Sequence, residues 1–276
     1  MENSLKERAM VVNLHIGLWS ARKYDEKVTR EIEKIHDVYN VGHFNKVLMK
    51  STTLEQIQTW ANKARSIHRD FTLPWGDNND RILTTERYFD YLMKIGNCVM
   101  EFDQLSDKFA YKEYVSLKEN EKVRLNSMYN ETDYPHPDLI RNKFSLKAVF
   151  SPVTDASDFR LNLSDTMMES VKAQMKNELE NRVKVANEEI LEKVREVVSK
   201  MHETLAEPGK GFKSSLIGNV EALMETVPSM NIFGDVHIAE VVNMLKPLCV
   251  NYDMLKNNDS FRQDIAKKAK EILQAI

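Results

Sequence analysis

The stretch from about Asp165 to Ala206 constrains this chain more than any other, because its apolar residues recur at helical spacing throughout. Met168, Val171, Met175, Leu179, Val183, Ala186, Ile190, Val194, Val197, Met201 and Leu205 form one stripe. Its ten steps span 37 residues, an average of 3.7, nearer an eleven-residue than a seven-residue repeat, so a straight packing helix is expected and not a zipper seam. Ser164 caps the start, with Leu163 and Met168 spaced as a hydrophobic staple. At 1.5 Å per residue such a helix reaches about 60 Å and needs a long partner. Thr84 or Thr85 opens a suitable one, carrying Tyr88, Leu92, Ile95, Val99, Phe102 and Phe109 on one stripe and fading between Lys118 and Tyr129. Packed antiparallel, the two helices make an elongated arm.

Upstream, Val12, Leu14, Ile16 and Leu18 alternate with Asn13, His15, Gly17 and Trp19, the pattern of a half-buried strand. Phe144-Leu146-Ala148-Phe150 and Phe159-Leu161-Leu163 alternate likewise around a long turn and read as a β-hairpin. One three-stranded antiparallel sheet is the expected use of all three runs, since each alone leaves unpaired backbone groups. Between these elements, Tyr24, Val28, Ile32, Ile35 and Tyr39 predict a helix stopped at Gly42. Thr52 and Glu55 form a capping box for another helix running past Trp60 to about Arg69. After Glu207-Pro208-Gly209 the pattern shortens to helices near 212–227, 236–246 and 260–275. These either form a separate cap or fold back on the Tyr24 and Trp60 helices. The fold class is therefore mostly α with a small antiparallel sheet (α+β), divided into an arm with its sheet over residues 1–206 and a short-helix region over 207–276.

Composition supports this class and excludes others. Glycine and proline number only 8 and 7, which disfavours a many-turned β fold. Basic and acidic residues, 39 against 42, alternate in sign along the chain, so no polyanion-binding face is built; the 166–206 helix carries seven basic and eight acidic side chains. These features disfavour nucleic acid as a partner. The longest uncharged run, Ala9 to Ala21, has 13 residues and contains Asn13 and His15, too short and polar to span a bilayer; it also lacks the features of a signal peptide. Cys98 and Cys249 have no CxxC spacing, so a cytoplasmic location and no disulfide framework are expected.

Chemistry is hard to find. The seven histidines are scattered, with no HExxH, and no GxxxxGK[ST], GxGxxG or GxSxG occurs. No metal, cofactor or catalytic set is therefore expected. The residues from Phe71 to Arg81 form the least helical stretch, and there Asp77, Asp80 and Arg81 could bind a basic partner or hold a metal. The plainer use is Asx turns and helix capping, with Trp75 filling the core. Asp158 and Arg160 flank Phe159 in the same ambiguous way.

Trp19-Ser20-Ala21-Arg22-Lys23, Phe44-Asn45-Lys46, Thr72-Leu73-Pro74-Trp75-Gly76-Asp77 with Arg81-Ile82-Leu83, Tyr134-Pro135 and Asp158-Phe159-Arg160 together resemble an uncharacterised family of phage and prophage proteins. Genes of that family often lie near those for MoxR-like AAA+ ATPases and von Willebrand A domain proteins. The resemblance implies a phage-encoded adaptor or subunit of such a motor in the host cytoplasm, a warrant of association only. It marks Trp19, Arg22, Lys23, Trp75, Asp77, Asp80, Arg81, Asp158 and Arg160 as candidate partner-binding residues.

Two function classes follow. One is a non-enzymatic interaction or assembly protein, self-associating or docked on a partner, because long amphipathic helices leave apolar surface to cover. The other is an enzyme or nucleic-acid-processing factor built on the Asp77, Asp80 and Arg81 loop; burial and internal pairing of Trp75 and Arg81 would deprive it of a site. An inhibitor of a host factor shares every sequence feature of the first.

Overall fold

The structure is a computed structural model that describes residues 2–76, 79–153, 165–207 and 209–276. The chain is mostly helical with a small sheet, as its patterning predicts. It divides into two compact units: one of residues Met1–Asn13, Phe71–Asp90 and Phe150–Ile276, the other of Leu14–Asp70 and Tyr91–Val149.

The first unit is organised by the long helix. In chain order it comprises α1 (Glu2–Arg8), the start of strand β1 (Ala9–Gly17), β4 (Leu73–Pro74), β5 (Arg81–Thr84) and α7 (Asp165–Ala206). After these come α8 (Ser215–Met230), α9 (Val236–Leu245), α10 (Tyr252–Asn257) and α11 (Asp259–Ala275). Ala186, Ile190, Val194, Val198, Met201 and Leu205 of α7 are buried, every three or four residues, against α11, α8, α9 and β4. From α11 come Ile265, Ala266, Ala269 and Ile272, whose two alanines let the helix axes approach closely. Among the described side chains between residues 169 and 185, none of α7 is fully buried.

Arg262 of α11 is buried against the end of α7. Its guanidinium donates to the carbonyl oxygens of Thr204 at 2.9 Å, Leu205 at 3.2 Å, Glu207 at 2.9 Å and Lys210 at 2.8 Å. It also lies over the Phe212 ring at 5.2 Å. A cation here satisfies the orphan carbonyls and meets the negative end of the helix dipole.

Two sequence expectations are corrected by this arrangement. The Tyr88 helix is not the partner of α7: residues 91–149 belong to the other unit, and α7 is covered by helices that follow it in sequence. A boundary near residue 207 does not separate two domains either, because the helices after it form one core with α7. The reason is shared: α8 follows α7 after a short connection and folds back on it, and α9, α10 and α11 continue the same local return, so the stripe is covered by the chain nearest in sequence.

The sheet has four strands in the order β4-β5-β1-β6, where β6 spans Ser145–Pro152. β1 pairs antiparallel with β5, Ala9 opposite Thr84 and Val12 opposite Arg81, and β4 pairs antiparallel with β5. The alternating N-terminal run is a strand beside the Phe144 run, as expected. However, its other neighbour is β5, which the alternation rule passes over because Ile82, Leu83 and Thr84 are all buried and read as an unpatterned apolar run. The Phe159 run lies outside the described residues.

The second unit holds β2 (Arg22–Tyr24), α2 (Glu26–Ile35), β3 (Asn45–Val47), α3 (Thr52–Phe71), α4 (Tyr88–Asp107), a π-helical turn (Lys108–Glu113), α5 (Tyr114–Leu125) and α6 (Pro137–Arg141). α3 is capped by Ser51 and not by Thr52, the Ser51 hydroxyl accepting from Thr53 N–H at 3.1 Å. α3 and α4 are antiparallel, tied at one end by His68 Nδ1 and Tyr91 Oη, 2.8 Å apart, and at the other by Lys108 Nζ donating to Thr53 Oγ1 at 3.3 Å. Tyr91, Ile95, Cys98, Phe102 and Ser106 form the inner face of α4. The π-helical turn adds a residue to the repeat and turns Phe109 and Ala110 inward. There Trp19 meets Phe109 and Tyr114, both at 5.9 Å between ring centroids, and Phe144 meets Phe109 at 5.9 Å.

Candidate protein-interaction surface

The residues marked by sequence fall into two groups. Trp75, Asp80 and Arg81 meet in the first unit at the β4–β5 turn. Trp75 N–H donates to the Asp80 carbonyl at 2.9 Å, and Asp80 Oδ1 accepts from Asn13 Nδ2 at 2.9 Å. Asn79 takes the left-handed conformation that closes the turn, φ 59°. The Trp75 side chain is 4% exposed and stacks on Phe233 at 5.9 Å, the ring planes 7° apart. Arg81 Nε donates to Thr72 Oγ1 at 2.7 Å, and its Nη2 donates to the Thr72 carbonyl at 2.7 Å and to Glu189 Oε1 at 2.5 Å. These bonds lock the turn onto α7. The arginine's hydrogen-bonding capacity is largely committed within its own unit, and the tryptophan is core. Asp77, Asp158 and Arg160 lie outside the described residues.

Trp19, Arg22 and Lys23 belong to the second unit. Trp19 packs in the aromatic cluster of Phe109 and Tyr114, while Arg22 is exposed on β2. Lys23 donates to Asp133 Oδ1 at 2.6 Å, and Lys46 Nζ lies 2.9 Å from Asp133 Oδ2 and 3.6 Å from Asp25 Oδ2. Burial alone would raise the Asp133 carboxyl, but the hydrogen bonds from Lys23 and Lys46 outweigh it and hold the group below the usual carboxylate range. Lys46 also donates to the Met128 carbonyl at 2.7 Å, and Tyr134 Oη donates to that of Leu48 at 2.7 Å.

These contacts fasten the base of an excursion, residues 22–47, that sequence reading treats as an ordinary packed helix. The base is a two-stranded ladder, Arg22 opposite Val47 and Tyr24 opposite Asn45. Asp25 caps α2 by accepting from Val28 N–H at 3.2 Å, and Thr29 Oγ1 accepts from Phe44 N–H at 3.0 Å. Beyond Ile35 the chain turns through Asp37 and Asn40, with φ of 50° and 54°; Glu33 Oε1 accepts from Asn40 N–H at 2.8 Å. Tyr24 and Tyr39 therefore lie outside the helix their spacing predicts.

The expected inward face of that helix points outward. Ile35 is 76% exposed, Tyr39 88% and Val41 70%, with Tyr24, Ile32 and Val38 also exposed. Ile32 and Ile35 are one turn apart on one side of α2. On its other side Tyr24, Val38, Tyr39 and His43 line a cleft of about 530 Å³ with Glu26, Glu33 and Lys34. Tyr24 meets His43 edge to face at 5.2 Å. Single exposed apolar residues are ordinary, whereas here six lie within one small excursion. The signal in the sequence is Asp37, Asn40 and Gly42, breakers that end the helix before its last apolar residues.

Among the described residues no group of three or more His, Cys, Asp or Glu side chains is placed to hold a metal ion. Burial raises the thiols of Cys98 and Cys249, away from thiolate reactivity. No helix among the described residues is long and apolar enough to cross a membrane. Compared with protein-family models, curated proteins and solved structures, the chain matches none.

Proposed function

We propose that this protein is a non-catalytic interaction protein that docks its partner through the tip of the 22–47 excursion. The observation that carries the reading is the outward apolar group, Ile35, Tyr39 and Val41, on a module fastened at its base by a buried charge network. A rigid base with an apolar tip is the arrangement an interface anchor requires, since little ordering is left to oppose binding. The loop reading, an enzyme or nucleic-acid factor built on Asp80 and Arg81, is disfavoured because Arg81 and Trp75 are engaged inside the unit. The phage-family resemblance adds a role as adaptor to an AAA+ ATPase, which makes the ATPase rate of such a motor, with and without this chain, a direct assay. The test of the surface itself is a photoreactive side chain in place of Tyr39. It should give a discrete cross-linked species in cells that Ile35→Asp abolishes. A tip that yields no adduct, while the protein remains folded and present, would remove the reading.

A further inference from the structure

We infer that Asn126 modifies itself: its side chain closes on the backbone nitrogen of Ser127, expels ammonia and ends as aspartate or isoaspartate. The observation behind this is a backbone conformation. Helix α5 ends at Leu125, and Asn126 caps it with φ 46° and ψ −118°, its N–H donating to the Lys122 carbonyl. The Asn126 carbonyl accepts from Tyr129 N–H at 3.0 Å, closing a 3-10 turn over Asn126–Met128. These angles are close to those of the first central residue of a type II′ turn, about +60° and −120°, a position favoured by glycine. Hydrogen bonds on both sides hold the residue in them.

The same conformation sets up the chemistry. Viewed down the Cα–C bond, the other three substituents of Cα lie a third of a turn apart, so a ψ of −118° brings the Ser127 nitrogen into line with Cβ of Asn126. In a helix, with ψ about −42°, or a strand, with ψ about +135°, that nitrogen points well away from the side chain. Here only rotation about the side-chain bonds is needed to bring Cγ onto it. Asn126 and Ser127 are both exposed, so water and base reach them, and the small serine side chain leaves its own nitrogen open.

The steps balance without oxidant or reductant. A solvent base removes the Ser127 amide proton, the nitrogen attacks Cγ, and the Cγ–Nδ2 bond breaks as the leaving nitrogen takes a proton from water and departs as ammonia. A five-membered succinimide results. Water then opens it at Cγ, giving aspartate, or at the backbone carbonyl carbon, giving isoaspartate, in which the main chain runs through Cβ. Either product carries a negative charge at the C-terminal end of α5, where the helix dipole opposes it. Isoaspartate also lengthens the main chain just before Met128, whose carbonyl accepts from Lys46 at 2.7 Å, and upstream of Asp133, which pairs with Lys23 and Lys46. The modification therefore acts on the base of the 22–47 excursion and loosens it with time.

Incubating the folded protein in mildly alkaline buffer and mapping its peptides by mass spectrometry at intervals tests this. A synthetic peptide of residues 119–133, incubated alongside, supplies the same sequence without the turn. Asn126 should convert on the order of tenfold faster in the protein than in the peptide, the gain from a rotation already made. Isoaspartate is identified by labelling with an isoaspartyl methyltransferase. Asn126→Gly, which suits the turn and lacks the reacting amide, should abolish the signal at this position. In aged protein, hydrogen exchange should rise in β3 and at Leu48, whose N–H donates to the Ala21 carbonyl at 2.8 Å, while aged Asn126→Gly keeps its starting rate. An Asn126 that converts no faster in the protein than in the peptide overturns the inference. Conversion without faster exchange in β3 and at Leu48 overturns its link to the excursion.

Discussion

Along α7, Ile190, Val194, Val198 and Met201 follow one another at steps of three and four and are all fully buried. Along α2, Val28, Ile32 and Ile35 keep the same spacing and end in a side chain 76% exposed. The difference lies in what the rest of the chain does. After α7 the sequence turns back and supplies α8 and α11, which close on its stripe. After α2 it turns at Asp37 and Asn40 and returns as a short strand that pairs with β2, covering the polar side of the helix only. Periodicity reports that a helix has an apolar face; it does not report that the same chain covers it.

The largest effect that would break this contrast is a charge in the covered stripe. Val194→Asp places a carboxylate where no water reaches, and the unfolding free energy should fall by on the order of 5 kcal/mol or more. A urea titration measures it. A loss under about 1 kcal/mol would mean that α7 is not covered as described.

Next comes the base of the excursion. Asp133→Ala removes the carboxylate shared by Lys46 and Lys23 and leaves Lys46, nearly inaccessible, with the Met128 carbonyl and a more distant carboxylate, Asp25 at 3.6 Å; the expected cost is about 3–5 kcal/mol. The pH dependence has a definite sign. The folded Asp133 carboxyl is depressed, so its contribution is present above the ordinary aspartate value of about 4 and disappears as pH falls through the lower folded value. The wild type should therefore lose stability on acidification more steeply than Asp133→Asn. Equal slopes would show that the carboxylate is not held by its lysines.

How much of this was legible beforehand can be judged residue by residue. The long helix from Ala186 onward and the inner face of α4 at Ile95 and Phe102 were readable, because each buries one face at a regular period; the N-terminal strand was readable from its alternation, although of its expected inward residues only Val12 is fully buried. Strand β5 was not, being too short and too uniformly apolar, and neither was the partner of α7, which depends on chain return and not on pattern. Among the candidate residues, Trp75 and Arg81 were conspicuous by chemistry, yet the structure uses them for packing. Tyr39 and Val41 were inconspicuous, since exposure is a property of what is missing around a residue. Arg262 was equally hidden: an arginine in a mildly basic tail looks like solvent-facing charge until the end of α7 is placed beside it.

That arginine offers the third test. Arg262→Ala strips the carbonyls of Thr204, Leu205, Glu207 and Lys210 of their shared donor, and the loss should be roughly 2–3 kcal/mol, as for hydrogen bonds to a charged group. Hydrogen exchange should rise first at the C-terminal turn of α7 and in residues 207–213. Arg262→Lys should recover only part, since one ammonium carries three donors for four acceptors. Full recovery would reduce the residue to a simple charge near a helix end.

The smallest effect is the sharpest, because it separates the two stripes at the level of the folded monomer. Ile35→Asp introduces the same charge as Val194→Asp, but into a side chain already mostly in water. At low protein concentration, where association is absent, its urea midpoint should match that of the wild type within about 0.5 kcal/mol, as for a surface substitution away from any buried feature. If a second copy covers the stripe, the two diverge at high concentration. Anything that binds only the folded state stabilises it by mass action, so a self-associating wild type gains melting temperature as concentration rises. The variant, unable to cover its tip, should not. A concentration-dependent gap therefore locates the missing cover of the α2 stripe in a second molecule, whereas a gap already present at the lowest concentration would place it within the chain and make the two stripes alike.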